Sequence, residues 1–128
     1  SHQFVALPDE TGEPVLHLKL FNRSLDSVFG FQFAVQQYKL YQMAIAQLVG
    51  VKCGALICDL SQVHIYQNQM AYAKELLTRD LGTPGEVRIE KALNTLDDLL
   101  SIKWEDIKIE GLIVNKDKFV TPRPEMAA

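Results

Sequence analysis

Much of what would mark a specialised class is scarce in this chain. Cys53 and Cys58 are its only two cysteines, and three histidines are scattered elsewhere. Two cysteines without further Cys or His clustering make neither a disulfide framework nor a zinc site. Buried, reduced thiols and no metal are therefore expected. No apolar run approaches the roughly 20 residues that cross a bilayer, and "SHQFVALPDE" lacks the basic-then-apolar start of a secretory signal. Excess positive charge is missing as well. The net charge of −3 argues against a surface built for nucleic acid or anionic lipid, although one or two local arginines suffice for the phosphate of a small ligand. There is no internal repeat and no low-complexity linker. What is present is a 128-residue chain with 48% hydrophobic and 23% charged residues, close to the globular average. One cytoplasmic domain over residues 1–128 is expected, large enough for a real core.

The patterning implies a mixture of strands and helices. "QFVAL" and "VLHLKLF" are β-prone runs joined by "PDETGEP", whose Pro8, Gly12 and Pro14 read as the turn of an antiparallel hairpin. Leu16, Leu18 and Leu20 alternate with His17 and Lys19, so His17 is expected to face solvent. From Gln32 to Val49 apolar residues recur at helical spacing on more than one side, predicting a largely buried central helix that ends at Gly50. "KCGALICDL" reads as a buried strand. "VHIYQNQMAYAKELLTRDL" reads as a second helix with Tyr66, Met70, Ala73 and Leu77 inward and Lys74, Glu75 and Arg79 outward. After the "GTPGE" break, "VRIE" is a short strand and "LNTLDDLLSI" a short helix capped by Asn94 or Thr95. "DIKIEGL" is a last strand, and "FVTPRPEMAA" an extended or frayed tail. This order does not alternate strictly, so a mixed α+β sandwich is expected rather than a doubly wound parallel sheet.

Taken singly, few residues point to chemistry. His64 and Tyr66, at a strand-to-helix junction, can converge on one ligand hydroxyl as donor and acceptor. They fit equally well a histidine satisfied by a backbone carbonyl beside a core tyrosine. In the polar corner "FNRSLDSVFG", Arg23 offers a planar fork and Ser24 a further donor for a phosphate. An ordinary solvated turn explains the same residues.

The combination is more specific than its parts. "LFNRSLDSVFGFQFAVQQYKLYQMAIAQLVGVKCGAL", then "VHIYQNQMAYAKELLTRD", then "WEDIKIEG" resembles the C-terminal half of thymidylate synthase. That family carries Leu-Tyr-Gln-Arg-Ser-x-Asp-x-x-x-Gly-x-Pro-Phe-Asn, His-x-Tyr-x-Asn and Phe-Glu-Asp-Phe-x-Ile-Glu-Gly-Tyr in this order and at these separations. The resemblance implies the family's α/β sandwich, a mixed sheet packed against helices, and a homodimer built through that sheet. It implies that Arg23 and Ser24 bind a nucleotide 5′-phosphate, to which the partner subunit lends further arginines. Asp26 would help build the nucleotide and folate pocket, and at Gly30 folate and base would stack closely. His64 and Tyr66 would hydrogen-bond the deoxyribose 3′-hydroxyl. The implied ligand is a pyrimidine nucleoside monophosphate, and the implied cofactor, if the protein is active, is 5,10-methylene-tetrahydrofolate.

Departures from the pattern set what is expected of the chemistry. Ser1-His2 aligns with the family's nucleophilic Cys-His if the hairpin turn is slightly longer. A serine hydroxyl is a far poorer nucleophile than a thiolate. A replaced cysteine and a tag remnant both fit a serine here, and neither Cys53 nor Cys58 lies at the nucleophile position. Ala34 stands where the family reads the base with asparagine, or with aspartate in its cytosine hydroxymethylases. It offers no hydrogen bond. Leu60-Ser61-Gln62 replaces a Gly-Gly-Asp run, with Leu60 crowding the folate approach, and Leu112 replaces a sugar-contacting tyrosine. The tail differs from the family's closing C-terminus, and the family's N-terminal part is not in this chain. The phosphate and sugar end is thus expected to be kept while the base, nucleophile and folate end is altered. Three functions compete: a nucleotide-binding relative that is not catalytic as this chain alone, a one-carbon transferase completed by further residues or a partner chain, and a purely structural dimerisation module.

Overall fold

A computed structural model describes residues 1–125; the last three residues of the expected tail, 126–128, lie outside the described residues. The architecture is α+β. The hairpin forms as expected, with β1 (His2–Pro8) antiparallel to β2 (Pro14–Asp26). Its turn is built by Asp9, whose Oδ1 accepts from the Thr11 N–H at 2.9 Å, the Thr11 hydroxyl at 2.6 Å and the Glu13 N–H at 3.1 Å. Gly12 occupies φ 87°, a conformation that costs glycine nothing. After helix α1 (Gly30–Leu48), β3 (Lys52–His64) returns parallel to β2. The sheet order is β1-β2-β3 and the sheet is mixed.

Leu16, Leu18 and Leu20 turn toward α1 and are buried, with Leu25, Val28, Phe29, Ala44 and Ala46 completing this part of the core. Burying each such leucine contributes about 1.5–3 kcal/mol. A register shift between Leu16 and Leu18 gives β3 one residue more than β2, a bulge at Gly54. A Cβ there would lie 2.7 Å from Val15 Cγ1 and 2.9 Å from His17 Nδ1, so only glycine lets those side chains lie against the strand. His17 consequently does not simply face water. It is half-buried, and its Nδ1 accepts the Ala55 N–H at 3.2 Å.

Helix α1 is less buried than its sequence suggests. Only Gln42, Ala44 and Ala46 are buried, while Phe33 is 53% exposed. Apolar residues on several sides find only one partner layer among the described residues. The second helix also differs: Val63 and His64 belong to β3, Gln67–Gln69 form a 3-10 turn, and α2 spans Met70–Thr78. Its expected inward stripe is displaced. Leu77 is 87% exposed, whereas Tyr72, Glu75 and Arg79 are half-buried under the C-terminal segment. Tyr72 stacks on Phe119 with ring centroids 4.3 Å apart, and the Arg79 guanidinium lies 4.1 Å from that ring.

Strand β4 (Glu86–Ile89) pairs antiparallel with β5 (Ile107–Glu110). Between them lies α3 (Leu96–Leu100), capped by Thr95, whose Oγ1 accepts the Asp98 N–H at 3.2 Å. The tail has no regular structure but is not loose: Glu75 accepts the N–H of Val120 at 2.8 Å and of Thr121 at 2.7 Å. Both cysteines are free thiols, yet Cys53 is exposed and Cys58 half-buried, against the expectation that both are buried. No described helix is long and apolar enough to cross a membrane, and no described cluster of His, Cys, Asp or Glu is arranged to hold a metal.

Candidate functional site

The corner holding Arg23 and Ser24 is strand, not loop. Hydrogen bonds to β3 carry β2 on to Asp26, so Ser24 pairs with Gln62, Leu25 with Val63 and Asp26 with His64. Strand backbone fixes side chains more firmly than a turn would, which suits the orientation of a ligand. Arg23 and Ser24 are exposed and line one open groove of ≈ 540 Å³ with Ser1, Phe21, Asn22, Asp59 and Ser61. Ser1 reaches it because its backbone carbonyl accepts the Phe21 N–H at 2.8 Å, continuing the β1–β2 ladder. The residues along this groove include one arginine, three serines and an asparagine, with Asp59 the single acidic residue. Strand alternation turns Arg23 and Ser24 to opposite sides of β2, so Arg23 brings its guanidinium and Ser24 borders the groove from the neighbouring position. A phosphate matches that donor set.

His2 does not join the groove. Its ring packs among Phe4, Tyr38 and Tyr41, with centroids 5.9, 5.6 and 5.6 Å away. The expected Ser1-His2 neighbours are thus split between two faces, because successive strand residues point oppositely.

His64 and Tyr66 stand together at the end of β3, edge to face at 4.9 Å. The His64 carbonyl accepts both the N–H and the hydroxyl of Ser27, at 3.0 and 3.1 Å. This clasps the β2–α1 turn to the β3 terminus. Asp26 closes the same corner. Its Oδ1 accepts from the N–H groups of Val28 at 2.9 Å and Phe29 at 3.2 Å, and its Oδ2 accepts from Gln69 Nε2 at 2.8 Å. Partial burial pushes this carboxyl up. The Gln69 bond, the two backbone N–H groups and the charge of His64 outweigh it and hold Asp26 below its usual range. Gly30 opens α1 against it, the Asp26 Cβ lying 3.4 Å from where a side chain would begin. Ala34 lies one helical turn further, half-buried.

A mixed sheet packed against helices, with β2 and β3 linked by one long helix, agrees with the sandwich the sequence resemblance implied; the pairing of Asp26 with His64 is added by the structure. Residues 1–118 match the thymidylate synthase family. The chain belongs to it. The mixed sheet with its packed helices is a thymidylate-synthase-like domain, and the family is one of one-carbon transferases acting in thymidylate formation. Within that frame the structure brings Ser1, Arg23 and Ser24 into one groove and Asp26, Gly30, His64 and Tyr66 into the adjoining corner. It keeps His2 apart. Sequence reasoning missed Ser27 and Gln69. The Asp-Ser pair before the helix was a readable turn signal, Asp26 bonding the Val28 and Phe29 N–H groups. Gln69 has one local partner, the Tyr66 N–H, but its partner Asp26 lies across the fold.

Proposed function

We propose that this chain binds a pyrimidine nucleoside monophosphate, with phosphate at Arg23 and Ser24 and a sugar hydroxyl at His64 and Tyr66, and that alone it does not transfer a one-carbon unit. The observation that carries this reading is the shared groove of Arg23, Ser24 and Ser1 beside the His64–Tyr66 pair. The transfer would need a thiolate where Ser1 offers a hydroxyl and a base-pairing amide where Ala34 has a methyl group. The side chains present also do not form a cradle for 5,10-methylene-tetrahydrofolate. Both Asp26 oxygens are taken within the chain, and half-buried Leu60 occupies the place of a glycine. No step is derived through that cofactor.

A second reading has its own support. The sheet face away from α1 exposes Phe21, Ile57 and Val63 at 37%, 47% and 51%, an apolar surface suited to a second copy. A homodimer through this face would bring partner residues toward the groove, and an active one-carbon transferase would be completed that way or by further residues. We assign the protein to the cytoplasm, a setting consistent with two free thiols.

Thermal-shift titration with deoxyuridine, deoxycytidine and cytidine monophosphates tests the binding. Stabilisation by at least one supports it; none by any leaves a structural dimerisation module. Tritium release from a 5-tritiated pyrimidine nucleotide in the presence of the folate tests turnover. Release above blank overturns the non-catalytic reading and favours the transferase.

A further inference from the structure

Only two polar side chains are buried among the described residues, Gln42 and Gln69, each 0% exposed. Gln69 lies in the 3-10 turn between β3 and α2 and makes two bonds in opposite directions. Its Oε1 accepts the Tyr66 N–H at 3.3 Å, and its Nε2 donates to Asp26 Oδ2 at 2.8 Å. Its own N–H donates to the Tyr66 carbonyl at 2.9 Å. We propose that Gln69 is a positioning residue of the nucleotide site, one buried amide that locks the sugar-side Tyr66 segment to the Asp26 carboxylate. This rests on the nucleotide-binding reading above.

The residue type follows from the partners. Asp26 as a carboxylate only accepts, and the Tyr66 N–H only donates, so the bridging group must present a donor on one side and an acceptor on the other. Neither a carboxylate nor an ammonium does both. Turned over, the amide would set two oxygens face to face, so the network fixes a single orientation. Through Asp26 Oδ1 the same chain reaches the Val28 and Phe29 N–H groups at the start of α1. One continuous chain of bonds therefore ties the Tyr66 segment to Asp26 and to the turn before the helix that begins at Gly30. The ionisable group acting on Asp26 is His64 from β3; Arg123 of the tail lies over the Phe29 ring, 5.2 Å from its centroid.

Two variants separate this role from simple packing. Gln69→Met keeps the length and removes both bonds. Gln69→Glu keeps an acceptor for the Tyr66 N–H but sets a second carboxyl against Asp26, and such a pair shares one proton at intermediate pH. Affinity for deoxyuridine monophosphate is measured by calorimetry on the whole chain across the pH range, alongside the carbon-13 titration of the Asp26 carboxyl. Gln69→Met is expected to bind about tenfold more weakly, the scale of one lost charge-assisted bond, with the Asp26 titration moved upward. Gln69→Glu is expected to show an affinity relative to the parent that falls as pH rises and the shared proton is lost. If Gln69→Met does not fold, the near-isosteric Glu variant carries the test. A parent that binds, with a Glu variant of unchanged affinity and pH profile, overturns the positioning role alone. A parent that does not bind at any pH overturns the nucleotide reading, and the positioning role with it.

Discussion

The side-chain amide of Gln42 donates to the backbone carbonyl of Leu16 at 2.7 Å, at a position with no solvent exposure. It also donates to the Ala55 carbonyl at 3.1 Å, while its oxygen accepts from Lys39 Nζ at 3.1 Å. Leu16 and Ala55 flank the β-bulge, so this helix side chain supplies donors where the strand register is broken. Gln42→Leu should destabilise the fold by about 1–3 kcal/mol for each carbonyl left without a donor. Urea unfolding checks it: the midpoint should fall with an unchanged slope.

Arg23→Ala should weaken deoxyuridine monophosphate binding at least about tenfold, the loss of a charge-assisted contact. The unphosphorylated nucleoside should be unaffected by the same change. Equal loss for both ligands would place Arg23 elsewhere than on the phosphate.

The hairpin turn should carry a pH signature. Lys52 Nζ lies 2.6 Å from Asp9 Oδ2, and this bond, then the Thr11 hydroxyl, hold the Asp9 carboxyl well below its usual value of 3.8. A carboxylate depressed on folding stabilises above its unfolded value, and that contribution is lost as pH falls through the folded value. The stability gap between parent and Asp9→Asn should therefore be constant above about pH 5 and shrink below about pH 4. Added salt should narrow it as well, because the pair is partly exposed. Paired urea titrations at neutral and acid pH measure both effects.

Glu75→Ala should free the C-terminal segment from α2 without unfolding the sheet. Hydrogen exchange at the Val120 and Thr121 amides should quicken markedly, while the amides of β2 and β3 keep their protection. Unchanged exchange at residues 120 and 121 would show that Glu75 does not hold the segment in solution.

Ile57→Asp places a charge on the outer face of the sheet. If that face joins two copies, sedimentation should show the parent as a dimer and the variant as a monomer at the same concentration. A monomeric parent would reject the sheet-mediated homodimer.

The hairpin, the long helix, a strand after it and a cap at Asn94 or Thr95 were legible in the sequence, while the parallel pairing of that strand and its part-exposed face were not. Each legible element rests on local physics: alternation of Leu16, Leu18 and Leu20, turn residues at Pro8, Gly12 and Pro14, and side chains that bond within their own turn. Family membership was legible too, because motif order and spacing survive in a linear string. Arg23, Ser24, His64 and Tyr66 could be named from those motifs alone. What the tertiary structure decided concerns residues whose partners are far along the chain. Strand pairing to β3 made the Arg23 corner part of β2 instead of a loop. A bulge opposite His17 drew its imidazole onto the Ala55 N–H. Packing by the C-terminal segment turned Glu75 and Arg79 inward and left Leu77 exposed. Gln42 and Gln69, which look like surface residues in any one-dimensional pattern, became the two buried polar side chains among the described residues, and both join elements. Each amide has one partner three residues away, but the bonds that bury it, to Leu16, Ala55 and Asp26, come from across the fold, and no local periodicity encodes them.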